Sequence, residues 1–295
     1  MHKDERVRTA VVTGARGIGY EVGRGLARSG MRVVFGVRTR ETGERAAAQI
    51  RAELPEADVS AEVLDLADLK SAASFGERLA ASCDRVDVLV NNAGVILPLQ
   101  REVTADGFEL HFGTNHLGHF AMTAGVMPLL RAGEGSRVVV VGSLAHRRGK
   151  IDFDDLQAER SYKRVRAYAQ SKLANLLFMT ELQRRSEAAG WGITAVGAHP
   201  GFARTEAIFR PDDGRIKKAY YNFTGRFIPA PEDAARSVIF AASSPQITPA
   251  GYYGPSGLAE TRGPVGPAKL ATIARDPELA ARVWELSETL TGVRF

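Results

Sequence analysis

The 295-residue chain predicts an α/β fold: a single doubly wound parallel sheet of about seven strands, flanked by helices on both faces. Three observations point there. Short β-branched runs alternate with amphipathic helical stretches, as in βα units around a parallel sheet. The first such run passes directly into a glycine-rich turn, Thr13-Gly14-Ala15-Arg16-Gly17-Ile18-Gly19. No repeat, low-complexity tract or linker divides the chain, and its length allows one large core.

The elements follow in order. Strands are expected over residues 7–12, 32–37, 61–64, 86–91, 137–142 and 193–198, each β-branched or apolar. Helices are expected to start near Gly17, Glu41, Ala67, Thr114 and Val165. Residues 201–266 differ, being rich in Pro, Gly and aromatics (Phe209, Tyr220, Tyr221, Phe223, Phe227). They read as an excursion with one helix over 231–242. Asp276-Pro277 then opens a last helix, with Asp as N-cap and Pro at the first helical position.

Composition narrows the function. Hydrophobic residues make up 44% and charged residues 25%, as in ordinary soluble globular proteins. The net charge of +5 comes from 39 basic and 34 acidic residues spread along the chain. It favours anionic ligands weakly and makes no case for nucleic acid. One cysteine, Cys83, excludes an internal disulfide and fits a reducing, cytoplasmic compartment. From the polar start no signal peptide is expected, and no apolar run reaches the roughly 20 residues of a membrane span.

The chemistry concentrates between Ser161 and Gln183. From Val165 onward Leu173, Leu176, Leu177 and Met179 recur at helical spacing. Tyr168 and Lys172, four apart, therefore share one helix face. A free phenol titrates near pH 10 and serves acid–base chemistry poorly at neutrality. An ammonium one turn away is expected to favour the phenolate. Tyr168 could then move a proton on the oxygen of an alcohol–carbonyl pair.

Other markers gather at the carboxyl ends of strands, where open α/β sheets bind ligands. The glycine loop lets the backbone turn sharply and approach a pyrophosphate at a helix N-terminus. Where an NAD-binding fold places an acid after the second strand, this chain has Arg38, Thr39 and Arg40, with Arg16 in the loop. Guanidinium forks suit a 2′-phosphate, so NADP(H) is expected over NAD(H). Asn91-Asn92-Ala93-Gly94 follows one strand, Ser143 another and Pro200-Gly201 a third. A strand-end hydroxyl such as Ser143 can donate to a developing oxyanion. His116 and His119 have no evident third ligand, so no metal is expected, and His199 reads as a packed strand-end residue.

Taken together, in this order and with these gaps, the chain resembles the short-chain dehydrogenase/reductase family. Within it the chain is similar to the retinol-dehydrogenase-like branch and its bacterial relatives. The branch features are Thr114-Asn115-His116-Leu117-Gly118-His119-Phe120, Tyr168-Ala169-Gln170-Ser171-Lys172, and Gly251-Tyr252-Tyr253-Gly254-Pro255. The resemblance implies a Rossmann-type sheet, with residues 201–266 as the substrate-binding segment of one dinucleotide-binding domain. It makes Tyr168 the general acid/base, and Lys172 the group that binds the nicotinamide ribose and lowers the Tyr168 pKa. Ser143 would polarise the carbonyl, and Asn115 would hold a helix irregularity. Gly14, Gly17 and Gly19, with Arg16 and Ile18, would line the pyrophosphate. Asp65 and Leu66 would meet the adenine, and Asn92, Ala93 and Gly94 the ribose region. Pro200, Gly201 and Thr205 would flank the nicotinamide, and Arg38 would select NADP.

One departure stands out. Two residues separate Gly14 from Gly17, where the family's Thr-Gly-x-x-x-Gly-x-Gly loop has three. Tyr162 is a decoy, because position 166 is Arg rather than Lys. The implied activity is reduction of a lipophilic ketone or aldehyde, or oxidation of the alcohol. The alternatives are C=C reduction and dinucleotide sensing without turnover. The expected partner is the small-molecule substrate, and the chain is expected as a monomer or as a homo-dimer or tetramer.

Overall fold

A computed structural model describes residues 7–96, 98–201 and 230–295. Its described residues build an eight-stranded sheet. In chain order, β1 (Thr9–Thr13), α1 (Ile18–Arg28), β2 (Arg32–Val37), α2 (Arg40–Glu53) and β3 (Val59–Val63) form the first half. Two short helices, α3 (Leu69–Ala73) and α4 (Phe75–Ala80), lead to β4 (Val88–Asn91). A π-helical turn (Phe112–Leu117) opens α5 (Gly118–Arg131), and β5 (Arg137–Val141) follows. Then come α6 (Arg164–Ala189), β6 (Thr194–Ala198), α7 (Pro231–Ser243), β7 (Tyr252–Pro255), β8 (Val265–Pro267) and α8 (Pro277–Thr291).

The strand order is β3-β2-β1-β4-β5-β6-β7-β8. Pairing is parallel throughout, except that β8 runs antiparallel to β7. The order reverses between β1 and β4, so the crevice above their carboxyl ends is the ligand position of a doubly wound sheet. Alternate residues feed two cores. Val11, Val34, Leu89, Val138 and Val140 face α3 to α6 and α8. Val12, Phe35, Val88, Val139 and Val196 face α1, α2 and α7. The inner strands β1, β2, β4, β5 and β6, buried on both sides, must be apolar on both, whereas the edge strand β3 is partly exposed and carries Ser60 and Glu62.

The expected elements recur with shifted ends. The helix expected near Ala67 divides at Ser74 into α3 and α4. The one expected near Thr114 begins instead as the π turn. Strand β7 falls inside 201–266 and β8 spans its end, and at four and three residues they are too short for a period to show. Thr205 and the aromatics at 209–227 lie outside the described residues.

Helix α8 starts as expected, with the Asp276 carboxylate accepting from Glu278 N and Leu279 N, each at 3.0 Å. It seals the outer face of α5 and α6. Trp284 stacks on Phe178 at 5.6 Å between ring centres and meets Phe120 edge-on at 5.1 Å. Phe295 closes over it at 4.4 Å. No described helix is long and apolar enough to cross a membrane.

This packing predicts that Trp284→Ala, at a residue 1% exposed, destabilises the protein by about 3–5 kcal/mol. Urea unfolding checks it, and a loss below about 1 kcal/mol contradicts the packing.

Candidate active site

Strand β5 ends at Val141, and two residues on Ser143 caps a short helical turn, Leu144–Arg148, by accepting from Ala145 N at 3.2 Å. Helix α6 crosses this edge. It brings the Tyr168 phenol close enough to the Ser143 hydroxyl for that side chain to favour the phenolate. One turn later Lys172, 5% exposed, donates from Nζ to Val141 O at 3.0 Å and lies 6.0 Å from the Tyr168 ring centre. Phenol, ammonium and hydroxyl therefore meet at one strand end.

The direction of the Tyr168 shift corrects the expectation drawn from spacing. Burial raises its pKa above the usual phenol value, and only the Ser143 hydrogen bond opposes the rise. Burial also pushes the Lys172 ammonium down to about 8. Four-residue spacing establishes a shared face but not its depth. Here desolvation of the charged form sets the direction of both shifts.

Asn115 sits in the π turn, fully buried. Its Oδ1 accepts from Val95 N at 2.8 Å, and its Nδ2 donates to Val95 O at 3.2 Å and to Ser171 Oγ at 3.0 Å. Ser171 in turn donates to Tyr168 O at 2.9 Å. Asn115 thus ties the chain after β4 to the helix segment that carries Tyr168. A helix irregularity at Asn115 is what the resemblance implied, and the π turn is one.

The cradle over β1 is built for close backbone approach. Gly14 and Gly17 have φ of 82° and 51°, left-handed values that glycine adopts without strain. A Cβ on Gly19 would lie 2.2 Å from Gly14 O and 2.6 Å from Asn92 Nδ2. The α1 N-cap is Gly17, which has no side chain to cover the first-turn N–H groups. Such an end suits a pyrophosphate, and the short loop still closes, with Gly19 N donating to Arg16 O at 3.1 Å. Ile18 follows, half-buried.

Thr13, which the sequence reading did not single out, joins two loops. Its Oγ1 accepts from Asn92 N and Ala93 N, each at 2.9 Å, and contacts His119 Nε2 at 3.0 Å. A Cβ on Gly94 would lie 2.8 Å from Asn115 Oδ1. Arg16, Arg38 and Arg40 are exposed beside the cradle, and among the described residues none of them forms an ion pair. Asp65 accepts from Ala67 N at 2.9 Å, next to buried Leu66. Pro200 and Gly201 leave β6 at the same edge.

His116 and His119 face different partners. His116 Nε2 contacts Ser287 Oγ at 2.8 Å, and His119 Nδ1 contacts Asn115 O at 2.9 Å. Burial lowers their pKa values to about 3 and about 4, so both are neutral structural groups. Among the described residues no group of three or more His, Cys, Asp or Glu could hold a metal. Tyr162 stacks on the His111 ring at 6.5 Å between centres, and its hydroxyl donates to Pro98 O at 3.0 Å. The sequence reading also missed the buried pair Glu109–His111, joined at 2.7 Å, whose imidazole meets the Tyr168 ring edge-on at 5.9 Å. Glu-x-His is too common a spacing to have signalled it.

The family model for short chain dehydrogenases matches residues 8–210. The chain belongs to the short-chain dehydrogenase family. Human retinol dehydrogenase 14 is 38% identical over 302 residues, covering 97% of this chain and 87% of the relative. Mouse polyprenol dehydrogenase is 40% identical over 293 residues, covering 97% and 84%. A crystal structure of a Mycobacterium paratuberculosis protein superposes with a TM-score of 0.80 at 38% identity, covering 98% of this chain and 94% of that one. This short-chain dehydrogenase is thus an oxidoreductase of the retinol-dehydrogenase-like branch, in a family that uses NAD(P)(H).

Two predictions follow from the geometry. In Gly19→Ala the new Cβ strikes a backbone carbonyl, so the dissociation constant of the nicotinamide dinucleotide is expected to rise at least about tenfold. Calorimetric titration reads it, and unchanged affinity contradicts the cradle. Lys172→Met tests the buried ammonium. The folded value of about 8 lies below that of an unfolded lysine, so between the two the unfolded chain binds more protons. Wild-type stability therefore rises with pH across that window. The thermal midpoint of Lys172→Met is expected to exceed wild type most near about pH 7 and to converge toward it by about pH 10. Parallel pH profiles would contradict this.

Proposed function

We propose that this dehydrogenase interconverts a lipophilic ketone or aldehyde and its alcohol, using NADP(H), with Tyr168 as general acid/base. The observation that carries the reading is the meeting of Ser143, Tyr168 and Lys172 at the end of β5. Those are the three functions that carbonyl reduction needs: an oxygen-orienting hydroxyl, a proton donor and a cation. A nicotinamide dinucleotide, when bound over β1 and β4, supplies the hydride.

The chain's own residues do the rest. Gly14, Gly17, Ile18 and Gly19 hold the pyrophosphate against the α1 N-terminus, with Asp65 and Leu66 on the adenine side. Asn92, Ala93 and Gly94 would line the ribose region, and Pro200 and Gly201 the nicotinamide side. Ser143 Oγ–H donates to the substrate oxygen and polarises the carbonyl. Tyr168 Oη delivers its proton to that oxygen as the carbon is reduced, and takes it back in oxidation. Lys172 offsets the charge of the phenolate left behind, which a phenol raised by burial requires. Asn115 keeps the helix in register beneath them.

NADP(H) is favoured because residues 38–40 hold two arginines and no carboxylate, and those arginines are unpaired among the described residues. A lipophilic substrate is favoured because the similar proteins are named for retinol and polyprenol. Residues 201–266 would form the substrate segment of a single domain, and the compartment would be cytoplasmic.

The test is Tyr168→Phe with NADPH and a ketone and aldehyde panel. Carbonyl reduction is expected to fall at least about 100-fold while NADPH affinity stays within about twofold. A wild type that binds NADPH and reduces no carbonyl contradicts the reading, as does one that saturates a C=C bond and leaves the carbonyl intact. Arg38→Glu is expected to shift the NADPH/NADH preference toward NADH by at least about tenfold, read from kcat/KM with each cofactor. An unchanged ratio would remove Arg38 from that role.

A further inference from the structure

Beside the catalytic edge, a second set of polar groups converges from three separate parts of the chain. His199, just before Pro200-Gly201, is fully buried. Its Nδ1 accepts from Gly201 N at 3.2 Å, which leaves the ring proton on Nε2. That nitrogen lies 3.3 Å from Glu260 Oε2, a charge–dipole contact rather than an aligned hydrogen bond. Glu260, 21% exposed at its side chain, also pairs with Arg147 and accepts from Lys269 N at 3.1 Å. Arg147 belongs to the helical turn that Ser143 opens, and its guanidinium donates to Lys269 O at 2.9 Å. His146, in the same turn, donates from Nδ1 to Ser143 O at 2.5 Å and accepts at Nε2 from Ala271 N at 3.1 Å.

The backbone delivering this carboxylate is strained. Ala259 and Glu260 hold φ of 49° and 57°, a left-handed conformation that costs non-glycine residues of order 1–3 kcal/mol each. Such strain persists only where the surroundings over-determine it. Here they comprise Arg147, Lys269 and His199. The next residue makes a tight contact as well: a Cβ on Gly201 would lie 2.5 Å from Thr261 O. An isolated surface ion pair would be worth little, but this carboxylate has partners on three segments, one of them wholly buried.

We propose that Glu260 is a positioning residue. It latches the chain leaving β6 at His199-Pro200-Gly201 to the turn that carries Ser143. The latch fixes the spacing between the hydroxyl that orients the substrate oxygen and the Pro200 side of the site. This rests on the roles given above to Ser143 and Pro200. Small displacements of positioned groups are costly in rate, so the latch acts on turnover rather than on cofactor affinity.

The experiment uses the full chain with NADPH and all-trans-retinal, comparing wild type, Glu260→Gln, Arg147→Gln and the double variant. Each single variant is expected to lower kcat about tenfold, with the NADPH dissociation constant within about twofold. The double variant is expected to be no slower than the slower single one, because both break one latch. Arg147→Lys, which keeps a cation, is expected to recover most of kcat. The ring 15N resonance of His199 Nε2 is expected to move in Glu260→Gln, a readout that needs no turnover. Unchanged kcat, losses that multiply in the double variant, loss of NADPH affinity alongside kcat, or a stationary His199 resonance would overturn the proposal. If wild type reduces no carbonyl, the functional reading falls instead, and the His199 resonance decides the latch alone.

Discussion

A lysine ammonium buried against a strand-end carbonyl is the costly feature on which the site depends. Lys172 has Val141 O as its hydrogen-bond acceptor at 3.0 Å and little water. Charge burial on these terms is unfavourable unless something else uses the charge. Tyr168, with its ring centre 6.0 Å away, is a candidate, and its phenolate is itself disfavoured by burial. Each group carries a penalty that the other can relieve once the phenol has given up its proton. In the proposed reaction such an arrangement would stabilise the reacting state more than the resting one.

The rest of the fold keeps that pair at the sheet's carboxyl edge. Parallel strands bring the ends of β1, β4, β5 and β6 to one rim, where the two glycine-containing loops and the Ser143 turn meet. Thr13 binds the first loop to the second, and Asn115 binds the second to α6. The π turn makes the latter tie possible, because its widened turn places Asn115 where both Val95 and Ser171 can be reached. On the far side of α5 and α6, the Trp284 cluster holds those helices against the sheet.

Much of this was legible beforehand, and the reasons are physical. Buried parallel strands must be apolar, so β1, β2, β4, β5 and β6 appear as runs in the sequence. A dinucleotide cradle needs glycine where a Cβ would strike Gly14 O, and Gly19 shows as such even in a loop one residue short. Tyr168 and Lys172 share a face because a helix repeats every 3.6 residues. Spacing could not report depth, and so the direction of the Tyr168 shift was misjudged. Nor does side-chain pattern encode a π turn, which inserts a residue without changing which ones are apolar. The Glu109–His111 pair, the Thr13–His119 contact and Glu260 owe their roles to contacts made in three dimensions, and β7 and β8 are too short to show a period. Thr205 lies outside the described residues.

The chemistry of the site depends on Lys172 being buried and charged beside Tyr168. NMR titration of the protein with 15N- and 13C-labelled lysine reads this directly, without substrate or cofactor. The account predicts one lysine resonance, assigned to Lys172, with a midpoint near about 8, well below the others. A Lys172 midpoint at the ordinary value of about 10.4 would describe a solvated side chain and contradict the account.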